Sequence, residues 1–280
     1  MARRPTAREL EAAAAARPAR PAGAEPARSE PLLMLRRRGL DPRPSAPDLP
    51  FHAEPGLAEL MRGRLAHYAF RLFLRGAIQR PAGFTPAQAT RYLPAAKARA
   101  MAEDCVALGL AERLPRGRYR LVRRARSFGG TLEWWLAREL ELRLGLEVET
   151  GVRSGAAGVG GDLDVVAAGE GKLLYLEAKS SPPKHVTPAE IAAFLGRVRA
   201  VSPDVALFVV DTALRLSDKI LPMFADALER AGTEAAPRRI FRETWALTPH
   251  LYAVNAREDL VDNVCRAIAE GLRALAPGAP

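Results

Sequence analysis

The sequence is poor in the residues that bind soft metals or form disulfides. Its 280 residues include only 2 cysteines and 4 histidines, and Cys105 and Cys265 lie far apart without a C-x-x-C spacing. We therefore expect no disulfide and no site built from Cys and His ligands, and two free thiols indicate a reducing, cytoplasmic compartment. The sequence contains no G-x-S-x-G motif and no paired Cys and His, so no motif in it indicates covalent catalysis.

Long apolar runs are missing as well. No segment of about 18 apolar residues occurs, so we expect neither a transmembrane helix nor a membrane partner. The basic N-terminus lacks the apolar segment of a secretory signal. Residues 1–50 are rich in Ala, Pro and Arg, which predicts a disordered basic arm with at most a short helix near residues 6–16.

Positive charge is abundant but unevenly placed. The net charge is +10, and residues 51–128 alone contribute +10, with 15 Lys or Arg against 5 Asp or Glu. Residues 1–50 contribute +4, and residues 129–280 contribute −4. This asymmetry predicts a part that binds a polyanion, joined to a part with a different role.

Residues 51–126 show a pattern of helices followed by a hairpin. Apolar residues spaced three and four apart predict a helix over residues 57–79, a short helix that starts at Thr85, and another helix over residues 95–108. A Pro-Arg-Gly turn at residues 115–117 then joins two short strands. The stretch resembles a winged helix-turn-helix domain, and this resemblance implies that it binds nucleic acid.

The same stretch carries many basic side chains. Helix-turn-helix proteins place a helix in the major groove and contact phosphates around it. Each neutralised phosphate adds affinity that depends on salt and carries no sequence information. Winged helices also dock proteins or dimerise, so a protein partner stays an alternative. The predicted nucleic-acid contacts are Arg91, Lys97, Arg99, Arg113, Arg116, Arg118 and Arg120, with Lys184 in a later loop.

Residues 127–280 alternate between helical and strand-like patterns. The periodicities predict a helix after Gly130, three successive strands up to residue 180, a helix capped by Thr187, and a strand over residues 205–211. This αβββαβ order predicts an α/β domain with a mixed central sheet.

Charged residues stand at positions of this domain where burial is expected. Glu177 and Lys179 lie on one face of an apolar strand because side chains alternate, and Asp164 lies on the preceding strand. In the helix, a rotation of about 100° per residue places Glu133 in the same apolar stripe as Leu140. A buried charge is costly unless it is paired or bound to a metal.

These carboxylates predict a cation between them. Oxygen ligands suit Mg²⁺ or Mn²⁺, with Glu133, Asp164 and Glu177 as the metal ligands. A hard divalent ion polarises a phosphate oxygen and lowers the pKa of bound water. Lys179 is suited to orient that water or to offset negative charge. The four residues therefore form a candidate catalytic set for phosphodiester hydrolysis.

The same four residues match a known signature. A helix Glu, an Asp and a Glu-x-Lys on an αβββαβ unit resemble the PD-(D/E)XK, or restriction-endonuclease-like, superfamily over residues 127–212, with Leu163 at the position of the named Pro. The strands around "GGDLDVV" and "LLYLEAKS" are similar to archaeal Holliday-junction resolvases and to nuclease domains of prokaryotic defence effectors. The resemblance implies a metal-dependent endonuclease acting on DNA, often as a homodimer. The alternative is an inactive relative that binds DNA or docks a protein, with Glu177 and Lys179 as an ion pair.

Overall fold

The computed structural model describes residues 29–155, 160–234 and 236–276, which form a mixed α/β fold around a large sheet. Within these ranges no helix is long and apolar enough to cross a membrane. The helices are α1 (Glu30–Arg37), α2 (Pro55–Leu65), α3 (Tyr68–Ile78), α4 (Pro86–Ala89), α5 (Ala95–Ala107), α6 (Gly129–Leu144), α7 (Pro188–Val201), α8 (Ile220–Arg230) and α9 (Leu260–Ala274). The strands are β1 (Pro42–Pro44), β2 (Ala111–Leu114), β3 (Arg118–Leu121), β4 (Glu147–Ser154), β5 (Asp162–Gly169), β6 (Lys172–Lys179), β7 (Val205–Val210), β8 (Arg238–Phe241), β9 (Thr244–Thr248) and β10 (Leu251–Asn255).

The large sheet has eight strands in the order β1-β4-β5-β6-β7-β10-β9-β8, and β2 and β3 form a separate hairpin. Neighbours among β4, β5 and β6 are antiparallel, whereas β7 pairs with β6 and with β10 in parallel. From α6 to β7 the elements follow the predicted order of helix, three strands, helix and strand. The antiparallel β8–β9 hairpin at the far edge is an addition to that order.

The turn between β5 and β6 sets the register of the central strands. Residues 170–171 both have positive φ angles, as a two-residue hairpin turn with the twist of the strands requires. Val165 then pairs with Leu176. One step further along this register, Asp164 stands opposite Glu177, so the turn brings two carboxylates onto neighbouring strands.

Apolar side chains cover both faces of the sheet. On one face α1, α7 and α8 pack against the strands through a cluster that includes Tyr175 and Phe194. On the other face α6 and α9 contribute to a second cluster that includes Trp135 and Leu176. This second cluster continues through Phe84 into the helices and hairpin of the N-terminal unit. The N-terminal unit therefore shares a core with the sheet.

Helix α1 and strand β1 lie inside the segment 1–50, where the sequence predicts a disordered arm. Leu32 of α1 is completely buried against the sheet, and β1 pairs with the edge of β4. Pro42 and Pro44 are tolerated because an edge strand uses only the N–H groups on its inner side. The prediction of disorder is wrong for α1 and β1, because a short apolar run provides enough burial to order them. Residues 1–28 of the predicted arm lie outside the described residues.

The N-terminal unit has one helix more than the periodicity predicts. The helix expected over residues 57–79 is broken at His67, whose extended backbone separates α2 from α3. Thr85 caps α4 as expected. The β2–β3 hairpin follows α5, and a backbone bridge between Phe84 and Tyr119 ties it to the helices. Helices followed by a hairpin agree with the predicted order, and the winged-helix assignment stays a prediction.

A buried ionic cluster fixes α3 to the sheet. Asp211, directly after β7, is fully buried and accepts hydrogen bonds from Arg71 Nε at 3.0 Å and Arg75 Nη2 at 2.8 Å. Its backbone N–H donates to the carbonyl of Lys179 at 2.8 Å. The Arg71 guanidinium also lies 4.7 Å from the ring centre of Trp135. The cluster therefore connects the N-terminal unit to the end of β6.

Candidate active site and basic surface

Strand β6 presents three polar side chains on one face. Alternation along the strand puts Tyr175, Glu177 and Lys179 on the same side. Asp164 lies on the neighbouring strand β5, where its carboxylate accepts a hydrogen bond of 2.7 Å from the N–H of Ala178. The strand pattern therefore predicts correctly that Asp164 and Glu177 are neighbours across two strands.

Glu177 is almost fully buried, with 2% of its surface exposed. Its Oε1 accepts hydrogen bonds from Lys179 Nζ at 2.9 Å and Arg197 Nη2 at 2.8 Å, and its Oε2 accepts one from the Tyr175 hydroxyl. Arg197 also donates to the Tyr175 hydroxyl at 2.9 Å and to the Gly160 carbonyl at 3.0 Å. Two cations and a phenol therefore compensate this buried carboxylate.

Arg197 and Tyr175 are the site residues that the sequence pattern misses. Tyr175 is one of several large residues in β6, and the only signal for its role is that it shares a face with Glu177. Arg197 lies in α7 among apolar side chains that pack on the sheet. No local pattern predicts its contact with Glu177, because 20 residues separate the two.

Glu133 lies near the start of α6, on the helical stripe that faces the core. Leu136 and Leu140 of this stripe are completely buried, whereas Glu133 is partly covered. Among the described residues, none forms a hydrogen bond or an ion pair with the Glu133 carboxylate. The helix therefore carries a carboxyl group without a hydrogen-bond or ion-pair partner in the described chain, and the charges of Asp162 and Glu177 act on it.

Burial and mutual repulsion favour protonation of these carboxyls. Burial, and then the charges of Asp162 and Glu177, raise the pKa of Glu133 from 4.5 to about 7. Burial, and then the charges of Glu177 and Glu133, raise the pKa of Asp164 well above its usual range. Burial by itself lowers the pKa of Lys179, but nearby carboxylates, Glu177 first, outweigh it and raise the pKa, so the ammonium stays charged.

The chemistry of the three predicted metal ligands suits a hard divalent cation, because all three are carboxylates. In the parts of the chain that the structure describes, however, no group of three or more His, Cys, Asp or Glu side chains is arranged to hold a metal ion. Glu177 is engaged by Lys179 and Arg197. It could join Glu133 and Asp164 around an ion only by exchanging those partners, so the metal stays a prediction.

All eight residues predicted to contact nucleic acid are exposed. Lys97, Arg99, Arg116 and Lys184 have no side-chain hydrogen bond or ion pair with any described residue. Arg91 lies in the loop after α4 rather than on a helix. The other three have partners within the chain: Arg113 pairs with Glu103, Arg120 with Glu112, and Arg118 donates to the carbonyls of Ala82 and Gly83.

The fold and the site define a mixed α/β protein with an acidic cluster at the end of a central strand and a basic helical unit packed on its sheet. No family model and no curated protein matches the sequence.

The solved structures that resemble the chain include the following two. Can2 from Sulfobacillus thermosulfidooxidans, in complex with cyclic tetra-adenylate, is 14% identical with a TM-score of 0.51, and the match covers 86% of this chain and 60% of Can2. Protein VC1899 from Vibrio cholerae is 13% identical with a TM-score of 0.50, and the match covers 85% of this chain and 61% of VC1899. The chain thus spans about three fifths of each relative. At these identities the likeness shows a similar fold.

Proposed function

We propose that the chain is a metal-dependent nuclease that hydrolyses phosphodiester bonds in nucleic acid, with DNA as the favoured substrate. The proposal depends mainly on Glu133, a carboxylate without a partner among the described residues that repels the neighbouring Asp164 and Glu177. Carboxylates in this situation are stabilised by a cation. The fold likeness to Can2, whose structure contains cyclic tetra-adenylate, supports a ligand with phosphodiester bonds.

Glu133, Asp164 and Glu177 would hold Mg²⁺ or Mn²⁺ through their oxygens. When bound, such an ion supplies polarisation of a phosphate oxygen and a lower pKa for water. Because the pKa of Glu133 is about 7, its carboxyl is about half protonated near neutral pH. Cation binding would therefore displace a proton from this residue and would tighten as the pH rises.

The residues around Glu177 would orient the reacting groups. Lys179 is partly exposed while it contacts Glu177, so its ammonium is able to donate to a phosphate oxygen or to the attacking water. Arg197 and Tyr175 hold the Glu177 carboxylate in one orientation. In the hydrolysis, the oxygen of water bonds to phosphorus, one P–O ester bond breaks, and the leaving oxygen takes a proton.

A cleavage assay with matched variants tests the proposal. Wild-type protein is incubated with plasmid, linear duplex, single-stranded DNA and RNA in the presence of Mg²⁺ or Mn²⁺, and EDTA should stop any cleavage. Asp164→Asn removes a candidate carboxylate ligand and Lys179→Met removes the ammonium, each at nearly constant volume, and both should abolish cleavage. Asp226→Asn changes an exposed carboxylate on α8 and should leave the rate unchanged.

The second candidate is a DNA-binding or protein-docking module with an inactive nuclease fold. One observation favours it: Lys179 and Arg197 already neutralise Glu177 without a metal. It predicts that the wild type and Asp164→Asn bind DNA equally and that neither cuts any substrate with either metal. Cleavage that is lost in Asp164→Asn and kept in Asp226→Asn would exclude it.

A further inference from the structure

An aromatic ring is exposed in the loop after α4. Tyr92 has 63% of its surface exposed and is the one aromatic residue among the large exposed hydrophobic side chains of the described chain. The hydroxyl of Thr90 accepts a hydrogen bond of 3.2 Å from the Tyr92 N–H, which fixes the backbone of the loop. The backbone that carries the ring is therefore anchored, and the ring itself is open to solvent.

A short series of direct contacts links helix α4, which precedes this loop, to the end of β6. Helix α4 packs so closely on α3 that a Cβ on Gly76 would lie 1.7 Å from the Ala89 carbonyl oxygen. The neighbouring Arg75 binds Asp211, and Asp211 donates its N–H to the carbonyl of Lys179. Only these few direct contacts separate α4 from the end of β6.

The surroundings of the ring are basic. Arg91 Nη2 donates to the Tyr92 hydroxyl at 3.1 Å, and the guanidinium carbon lies 5.1 Å from the ring centre. Lys184 is exposed in the loop that follows β6. The hydrogen bond from Arg91, and then the charges of Arg91, Lys184 and Arg75, lower the pKa of Tyr92. Positive charge beside an open aromatic face is the combination that binds single-stranded nucleic acid.

We propose that Tyr92, flanked by Arg91 and Lys184, is a stacking platform for an unpaired nucleobase of the substrate. The inference rests on the proposed function and narrows the substrate to nucleic acid with a single-stranded segment at the site. A duplex keeps both faces of each base stacked, so a ring on the protein surface has access only to a base that has left the stack. Arg91 and Lys184 would hold the phosphates on either side of that base.

Equilibrium binding in EDTA separates this platform from simple phosphate attraction. The probes are a labelled oligothymidylate of about 12 nucleotides, within the site sizes of single-strand binding proteins, the same backbone with abasic sites, and a blunt duplex. Tyr92→Ala should weaken oligothymidylate binding by about 5- to 150-fold, as expected for the loss of one base stack. Tyr92→Phe keeps the ring and should bind like the wild type.

Leu60→Ala is the matched control, because it truncates another exposed apolar side chain, with 50% exposure, on α2. The inference is supported if Tyr92→Ala alone loses affinity, and if that loss disappears on the abasic probe. Equal losses on oligothymidylate, the abasic probe and the duplex would overturn it, as would a loss of the same size in Leu60→Ala. Cleavage of the duplex by the wild type with Mn²⁺ is measured in a separate assay. A failure of the stacking proposal is therefore distinguished from a failure of the nuclease proposal.

Discussion

Asp211 offers a direct test of how the N-terminal unit is held against the sheet. The substitution Asp211→Asn keeps the shape of the side chain and removes its charge. It leaves Arg71 and Arg75 facing a neutral acceptor in a site where the side chains of Asp211 and Arg71 are 0% and 2% exposed. Solvent therefore screens little of the electrostatic attraction that the substitution removes. Removing one partner of such a buried pair costs about 3–5 kcal/mol, because the remaining charge is left uncompensated.

Urea denaturation followed by circular dichroism measures this loss as a change in the free energy of unfolding. In thermal unfolding the same loss should lower the melting temperature by about 6–20 °C, at roughly 2–4 °C per kcal/mol for a chain of this size. Glu112→Gln is the matched control. It removes the charge that pairs with Arg120 on the surface, where both side chains are 47% exposed. Its expected cost is below about 1 kcal/mol.

The reasoning is refuted if Asp211→Asn is no more destabilising than Glu112→Gln. A triple variant, Arg71→Met with Arg75→Met and Asp211→Leu, removes the uncompensated charges together. It should recover part of the lost stability, because an apolar cluster of similar volume often replaces a buried ionic one at little cost. Recovery will be incomplete, since Arg71 also donates to the Leu65 carbonyl at 2.6 Å, at the end of α2.

Three further outcomes are expected. Gly76→Ala should lower the free energy of unfolding by about 1–3 kcal/mol or more, because its Cβ would lie 1.7 Å from a carbonyl oxygen of α4. Gly196→Ala, on α7 with nothing within 4 Å of its Cβ, should instead leave the stability unchanged or raise it in the same unfolding assay. The pKa of Glu133 is raised from 4.5 to about 7 on folding, so in EDTA this residue should lower stability as the pH rises through that interval. Glu133→Gln should flatten the melting temperature profile between those pH values and gain at most roughly 3 kcal/mol above pH 7, and parallel profiles for the two proteins would contradict the assignment. Arg116→Glu should flatten the slope of log affinity for DNA against log salt by about 0.9 or more, whereas Arg230→Glu, an equal charge change on α8, should leave the slope unchanged.

Local patterns predict the elements and several members of the candidate site. The spacing of leucines in α6 places Glu133 on a stripe that faces the core, and the structure agrees. Strand alternation places Glu177 and Lys179 on one face, and their ion pair of 2.9 Å follows from it. The β5–β6 turn is short enough that its sequence indicates which strands pair. Each of these features depends on residues within one element or one turn.

The same reasoning fails where the decisive partner is distant in the chain. The Pro-rich composition of residues 1–50 predicts disorder, because composition does not reveal that Leu32 has a sheet to pack against. Arg197 reaches Glu177 only because α7 crosses the face of β6. The charge patterning predicts a basic surface but cannot tell that Arg113 and Arg120 already have carboxylate partners.

The sequence by itself determined the order of elements from α6 to β7, the basic character of residues 51–128, and the positions of Glu133 and Glu177 on their own elements. Periodicity and charge are properties of neighbouring residues, so these features needed no knowledge of the fold. Only the tertiary structure decided which charges distant in the chain meet. Arg71 and Asp211 are 140 residues apart, and their contact depends on how α3 packs at the end of β7. Burial at such meeting points makes the interactions strong, and the fold alone creates that burial.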